Sequence, residues 1–360
     1  ANSGVTVSGY CNCAIGACGF VGTGLQNKAS GSASVVVGGT YNCACGGCSI
    51  VVGGYKNCAQ GNCSFVGGGC CNVASECSSI IVGGKSNTAS ACYATIGGGC
   101  VNEATECFST VAGGKMNDAC GKCSTVSGGY RNCAHGCGAT AGGFRSNATG
   151  SWSTVIGYQS TACGDFSVAF GRSNSATRNY GVALGGLQNT NSGLYGTLVA
   201  GKDNELTANN SVLVGGINNK SCNTYTFMGG GNANHASGSY SVVVGGTQNK
   251  ATGTNSSTLS GYKNCVTGGY STIVNGSRNL VSANCSFIGL GTFNTASAQH
   301  SFIGSGTYNV VSNHCSLIVG GQNNTVSGRW SVLAGGRCNR LAGECSGILG
   351  GKENCIVHNN

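Results

Sequence analysis

The chain has 360 residues, 67 of them glycine and none proline, with 8% charged side chains and a formal net charge of +9. With no three-residue glycine period and no proline it cannot be collagen, and apolar residues recurring at fixed intervals exclude a disordered chain. The 18 Lys and Arg are spread without a cluster or an accompanying aromatic track, which argues against nucleic-acid binding, and no apolar run reaches membrane-spanning length, which argues against membrane insertion.

Residues 1–20 lack the basic, apolar and cleavage regions of a signal peptide, so an exported protein is expected here as a mature form beginning at Ala1. A fifteen-residue unit then organises the chain, clearest at 49–63 as SIVVGGYKNCAQGNC. Its asparagine recurs at Asn12, Asn27, Asn42, Asn57 and every fifteen residues to Asn132. Three fourteen-residue steps lead through Ser146 and Ser160 to Asn174, and fifteen-residue spacing runs from Asn189 to Asn354. Of 24 units, 22 carry asparagine at this marker and all carry glycine three residues earlier. So short a period means a solenoid, because each coil can bury its apolar side only against its neighbours. The expectation is one all-β domain over 1–360, a parallel β-solenoid (β-roll) of 24 coils of 14–15 residues, roughly 110–120 Å long at strand spacing.

Within a coil, the residue six before the marker is Val, Ile, Leu, Met or Ala in 20 units, and the exceptions, Thr6, Thr140, Thr154 and Thr258, are β-branched as well. Serine stands eight before the marker in 15 units. Alternation of small and β-branched residues predicts a first strand with these positions inward. The positions seven and five before the marker should then be polar, yet Ile50 and Val52, Ile80 and Val82, Val212 and Val214, Val242 and Val244, and Leu317 and Val319 are apolar. A strand apolar on both faces is normally buried on both, so this second face predicts a lateral interface. GGxxN follows as a tight corner, with glycine and asparagine at left-handed backbone positions: Gly39 and Asn42, Gly54 and Asn57, Gly84 and Asn87, Gly246 and Asn249. Stacked asparagines are expected to bond along the solenoid. Two after the marker, Ala from Ala14 to Ala176 and later Val266, Val311 or Leu341 predict the inward row of a second strand. Glu76, Glu103, Glu106, Asp118, Lys122 and His135 turn that strand's other face to water.

All 26 cysteines avoid the first strand. Cys13 with Cys18, Cys43 with Cys48, and Cys58 with Cys63 share a coil, while Cys77, Cys92 and Cys107 stack one per coil. Either arrangement comes within reach of disulfide formation, within or between chains. The CxxC pairs Cys45–Cys48 and Cys120–Cys123 lack the following helix of a redox motif and the second pair of a zinc site, so structural disulfides are the expectation, with no metal and no cofactor. His135, His235, His300, His314 and His358 share no phase, and nine acids form no catalytic constellation, so no enzyme is expected.

The segment 151–186, SWSTVIGYQSTACGDFSVAFGRSNSATRNYGVALGG, closely resembles the head repeats of trimeric autotransporter adhesins, and similar repeats occur in viral and phage fibres. That resemblance implies a left-handed roll and a homotrimer packed through the second apolar face. The cysteines lie outside that resemblance. Repeats that reach both ends without a distinctive cap also predict end-to-end stacking. The expected role is a self-assembling, disulfide-reinforced structural fibre, extracellular or on the surface of a cell, spore or virion. The alternatives are an attachment fibre binding a host surface or matrix, with 146–174 the irregular block, and an ice-binding solenoid, against which stands the lack of a sustained TxT row.

Overall fold

The computed structural model describes residues 4–357, and no helix among them is long and apolar enough to cross a membrane. The expectations for Ala1 and His358 lie outside those residues. The fold is an all-β parallel solenoid in two compact units, Ala1–Tyr180 and Gly181–Asn360. In each unit every coil supplies two short strands. The first strands stack in parallel, Val35–Val36 on Ile50–Val51 on Phe65–Val66. The second strands do the same, Cys43–Ala44 on Cys58–Ala59 on Val73–Ala74. The register advances by one repeat per rung, so residues of one phase form a column with a spacing of ~4.8 Å.

The interior lies between these two sheets. In the first unit Val21, Val36, Val51, Val66, Ile81 and Ile96 face the alanine column Ala29, Ala44, Ala59, Ala74 and Ala89, all fully buried. In the later coils of the second unit the same columns hold mostly larger residues, Ile273, Ile288, Ile303 and Ile318 opposite Val266, Val281, Val311 and Val326. The serine eight before the marker is buried, and its hydroxyl can turn back onto its own chain, as Ser34 Oγ does onto the Gly31 carbonyl at 2.7 Å. Thr258 is inward as expected, its hydroxyl donating to the Lys250 carbonyl at 3.2 Å.

Thr140 and Thr154 are not inward. Pairing aligns Ala141 with Val126 and Val155 with Ala141, which puts both threonines on the outer face. Each fourteen-residue coil lacks the residue immediately before the corner glycine, so counting back from the marker overshoots by one. In the other longer coils that extra residue breaks the first strand, whereas the shorter coils run through the corner as single strands, Thr140–Phe144, Thr154–Tyr158 and Val168–Arg172, as does the adjoining fifteen-residue coil at Thr125–Tyr130. The additional residue behaves as a bulge, and the register shifts between Val126 and Gly129 where the two coil lengths meet.

The corner is held by glycine and asparagine acting differently. Gly39, Gly54, Gly84 and Gly246 have φ of 92°, 92°, 95° and 84°. A Cβ on Gly54 would also run into the carbonyl oxygen of Gly69 in the next rung. The marker asparagine is not itself left-handed, contrary to expectation; the residue before it is, as at Lys56 (φ 53°), whatever its type. A second left-handed residue, such as Cys63 (φ 55°), ends each coil. These conformations are unfavourable for side chains with a Cβ, and the asparagine offsets them by hydrogen bonding. Asn57 Nδ2 donates to the carbonyls of Gly53 and Gly69 at 2.8 and 3.0 Å, and its Oδ1 accepts the backbone N–H of Asn72 at 3.0 Å. Asn42, Asn87 and Asn249 repeat the pattern. The stack therefore bonds mainly side chain to backbone rather than amide to amide.

Candidate functional site

Three outward surfaces carry chemistry. The first is the outer face of the first strands, two columns wide. Neither column contains a charged residue anywhere along the chain. Ile50 is 36%, Val82 56%, Val244 47% and Val319 51% exposed. Val52 and Val214 are exposed as well, and Val212, Val242 and Leu317 are half-buried. The face is also level. Where one column carries phenylalanine its neighbour two residues on is glycine: Phe20 and Gly22, Phe65 and Gly67, Phe227 and Gly229, Phe287 and Gly289, Phe302 and Gly304. The ring edge lies over the missing side chain, so that a Cβ at Gly22 or Gly289 would meet Cε1 of Phe20 or Phe287 at 3.4 Å. At those rungs the ring fills the space that the glycine leaves, as paired aliphatic side chains do at Ile50 and Val52. In the middle of the first unit the face turns to hydroxyls, Thr95, Thr110, Thr125, Thr140 and Thr154 stacking in one column. The change in coil length hides this column from a fixed-phase reading.

The second surface is the corner. Basic residues that are dispersed along the chain collect there, because the coil stacks what the sequence separates by one repeat. Lys85, Lys115, Arg172, Lys202, Arg337 and Lys352 stand two before the marker, and Lys56, Arg131, Arg145, Lys263 and Arg278 one before. Aromatic rings interleave with them: Arg131 lies 5.3 Å from the Tyr130 ring centroid, Arg145 5.5 Å from Phe144 and Lys263 5.0 Å from Tyr262. Tyr130, Phe144 and Tyr158 stack on one another at 5.3 and 4.8 Å. Asp203 and Glu353 are the acids at these positions, each beside a lysine of its own coil at 3.8 and 3.1 Å. Basic and aromatic residues without a track in the linear sequence therefore share one corner of the coil.

The third surface is the outer face of the second strands with the coil end that follows, where 21 of the 26 cysteines lie, Cys11, Cys70, Cys71, Cys100 and Cys338 being at the corner. All 26 are free thiols. Cys18, Cys48 and Cys63 sit on the left-handed residue that ends the coil, exposed, while Cys43 and Cys58 are half-buried on the strand and Cys13 is exposed there. Cys77, Cys92 and Cys107 occupy one phase of successive coils, each half-buried. The sulfurs brought together belong to other pairs, Cys43 with Cys45 at 2.8 Å and Cys70 with Cys71 at 3.2 Å.

Two groups form squares, using the two outward positions of a second strand on two adjacent rungs. Cys43, Cys45 and Cys58 take three corners of one and Gln60 the fourth. A hydrogen bond from Cys43 lowers the Cys58 thiol to about 6, and the same bond, with burial, raises Cys43. Asp118 and Cys120 on one rung and Cys133 and His135 on the next take all four corners of the other. Burial, then the Asp118 carboxylate, pushes the Cys120 thiol up to about 11, and burial with Cys120 and Asp118 raises Cys133. The CxxC pairs themselves are split, Cys48 and Cys123 lying at the coil ends, and the groups beside Cys45 and Cys120 come from the same strand and the neighbouring rung. The signal in the sequence was D-x-C followed one repeat later by C-x-H.

Residues 148–174 and 162–187 match two copies of the YadA head domain repeat, bracketing the fourteen-residue coils. Residues 251–350 match the family model of the grass antifreeze beta roll, where the second inward column turns to valine. No curated protein matches the chain. With the solenoid fold, these matches make it a structural or adhesin-like repeat protein.

Proposed function

We propose that the chain is a non-enzymatic structural protein that associates laterally with copies of itself, as a homotrimer, into a rigid fibre on a cell or particle surface or outside the cell. The observation that carries this reading is the level, uncharged and exposed outer face of the first strands. A stripe of that kind is stable in water only when covered. Each unit offers about twelve rungs of it, roughly 55–60 Å by 10 Å or about 550–600 Å², so the face of the two units together exceeds the ~800 Å² that one partner buries in a standard interface. The YadA-like repeats support self-association into trimers and a surface location. Cysteine oxidation at exposed coil ends such as Cys48 and Cys63 would tie neighbouring chains.

The test is the mass of the full chain in solution, by light scattering in reductant, for the native protein and for Val52→Asp with Val244→Asp. These side chains point outward, so the fold is kept and a charged face should yield monomer from a trimeric parent. A native protein that stays monomeric at tens of micromolar, or a double variant that stays trimeric, would overturn the proposal. Non-reducing electrophoresis reads the cysteine bonds separately.

A second reading is favoured by the antifreeze match. Thr252, Thr267, Ser282, Ser297, Ser312 and Ser327 form one unbroken hydroxyl column on the second-strand face within the matched residues. An ordered hydroxyl row at rung spacing is a surface that an ice lattice could match, and thermal hysteresis of the purified chain measures it. The basic and aromatic corner favours attachment to an acidic surface, read by retention on an acidic polysaccharide that salt reverses.

A further inference from the structure

The square on the second-strand face has the composition of a metal centre. Asp118 pairs with Cys133 across the rungs, and Cys120 and His135 stand two residues on from each. One ligand atom from each of the four lies within 4.8 Å of all the others. Cys133 Sγ is 3.0 Å from His135 Nδ1 and 3.8 Å from Asp118 Oδ2. A tetrahedral zinc ion with bonds of ~2.0–2.3 Å separates its ligands by roughly 3.3–3.8 Å, so these groups need only small side-chain rotations. Asp118, Cys120 and Cys133 are half-buried and His135 is exposed, which leaves an entry path.

A second observation points to a cation. Asp118 Oδ1 is buried and has no hydrogen-bond partner. The same column offers a comparison: Glu205 is met one rung on by Lys220, whose Nζ lies 2.8 Å from the carboxylate. Asp118 has a thiol in that place. A carboxylate beside two thiols and an imidazole, with no cationic side chain paired to it among the described residues, is an arrangement that a divalent ion neutralises.

We propose that Asp118, Cys120, Cys133 and His135 bind one zinc ion, clamping two adjacent rungs of the first unit. Binding exchanges two S–H protons for two Zn–S bonds and takes the carboxylate and neutral imidazole as they are, releasing two protons at most. Mixed sulfur, nitrogen and oxygen donors in a four-coordinate set favour zinc over calcium or magnesium. The group at Cys43, Cys45 and Cys58 has glutamine at its fourth corner and is the natural control.

The experiment titrates the reduced full-length chain with cobalt(II) as a spectroscopic stand-in and then displaces it with zinc. The expected native result is a thiolate-to-cobalt charge-transfer band with the d–d bands of a tetrahedral site. His135→Ala and Asp118→Asn, both leaving every cysteine in place, should each weaken that complex by more than the roughly 10–100-fold typical of losing an outer-shell partner. Cys43→Ser should leave it unchanged. Bands that survive both ligand variants, or that vanish with Cys43→Ser, would overturn the assignment. So would recovery of Cys120 and Cys133 as a disulfide-linked peptide from protein prepared without oxygen. Circular dichroism of each variant confirms that the fold is retained.

Discussion

Adjacent glycines at the corner have opposite physical roles, and this makes a sharp test of the fold. At Gly84 the backbone is left-handed, and a Cβ would collide with the Gly99 carbonyl of the next rung. At Gly83 the backbone is ordinary, and a Cβ would meet nothing within 4 Å. Gly84→Ala should therefore destabilise the chain by about 2 kcal/mol or more, the combined effect of a forbidden φ and a lost inter-rung approach. Gly83→Ala should be neutral or stabilise by about 0.4–1 kcal/mol, through the reduced freedom of the unfolded chain. Thermal unfolding of the two single variants checks both, and equal losses would contradict the corner geometry. The asparagine beside them depends on length as well as chemistry. Asn87 spans from its own coil, at Gly83, to the next, at Gly99, with donor bonds of 3.0 and 3.1 Å. Where the marker is Ser146, the hydroxyl reaches only Gly157 in the next coil, at 3.0 Å. The two serine markers fall in fourteen-residue coils, whereas Asn174, the marker of the third such coil, still donates within its own coil to the Phe170 carbonyl.

Coil length is where the strands and the corner meet. A fourteen-residue coil stacks directly on a fifteen-residue one, Thr140–Phe144 on Thr125–Tyr130, with the mismatch absorbed between Val126 and Gly129. Removing Gly83 alone should convert its coil to the shorter form and leave the β-sheet spectrum and melting temperature close to native, whereas removing Gly84 together with Gly83 should not. An unfolded single-deletion variant would mean that the shorter coils depend on features of 140–172 beyond their length. The same junction shows what was legible beforehand. Two strands per coil, the inward columns at Val51 and Ala59, the outward apolar face at Ile50 and Val52 and the glycine and asparagine corner all follow from phase within one period. Thr140 and Thr154 were misplaced because phase was counted from a marker lying beyond the missing residue. The cation track at Arg131 and Arg145 and the square at Asp118 and Cys133 are not legible in the linear sequence because these residues meet only across rungs. A search for clusters along the chain separates residues that the coil brings together.

The two units solve the same packing problem with different interiors. In the first, every residue two after the marker is alanine, from Ala14 to Ala176. In the later coils of the second, that column is Val266, Val281, Val311, Val326 and Leu341, interrupted by Ala296 alone, opposite isoleucines and Leu333. Valine or leucine in place of alanine adds two or three buried carbons per rung, and at ~0.8 kcal/mol for each this amounts to about 2 kcal/mol per rung. Stability in a solenoid is close to a sum of rung and interface contributions, so the difference accumulates along the later coils rather than averaging out. The cysteines run the other way: 18 of the 26 precede residue 138, on the rungs with the alanine interior. Sulfur chemistry on the outer face, whether a disulfide or a bound ion, therefore sits where burial contributes least. In reductant and chelator, amide hydrogen exchange should be faster at the central strands of the first unit, such as Ile81 and Val111, than at Ile303 and Ile318 of the second. Zinc, or oxidation without reductant, should slow the first set and leave the second as it was. Equal exchange in the stripped protein would show that the alanine rungs are held by something other than their cysteines, the face at Ile50 and Val82 being the next place to look.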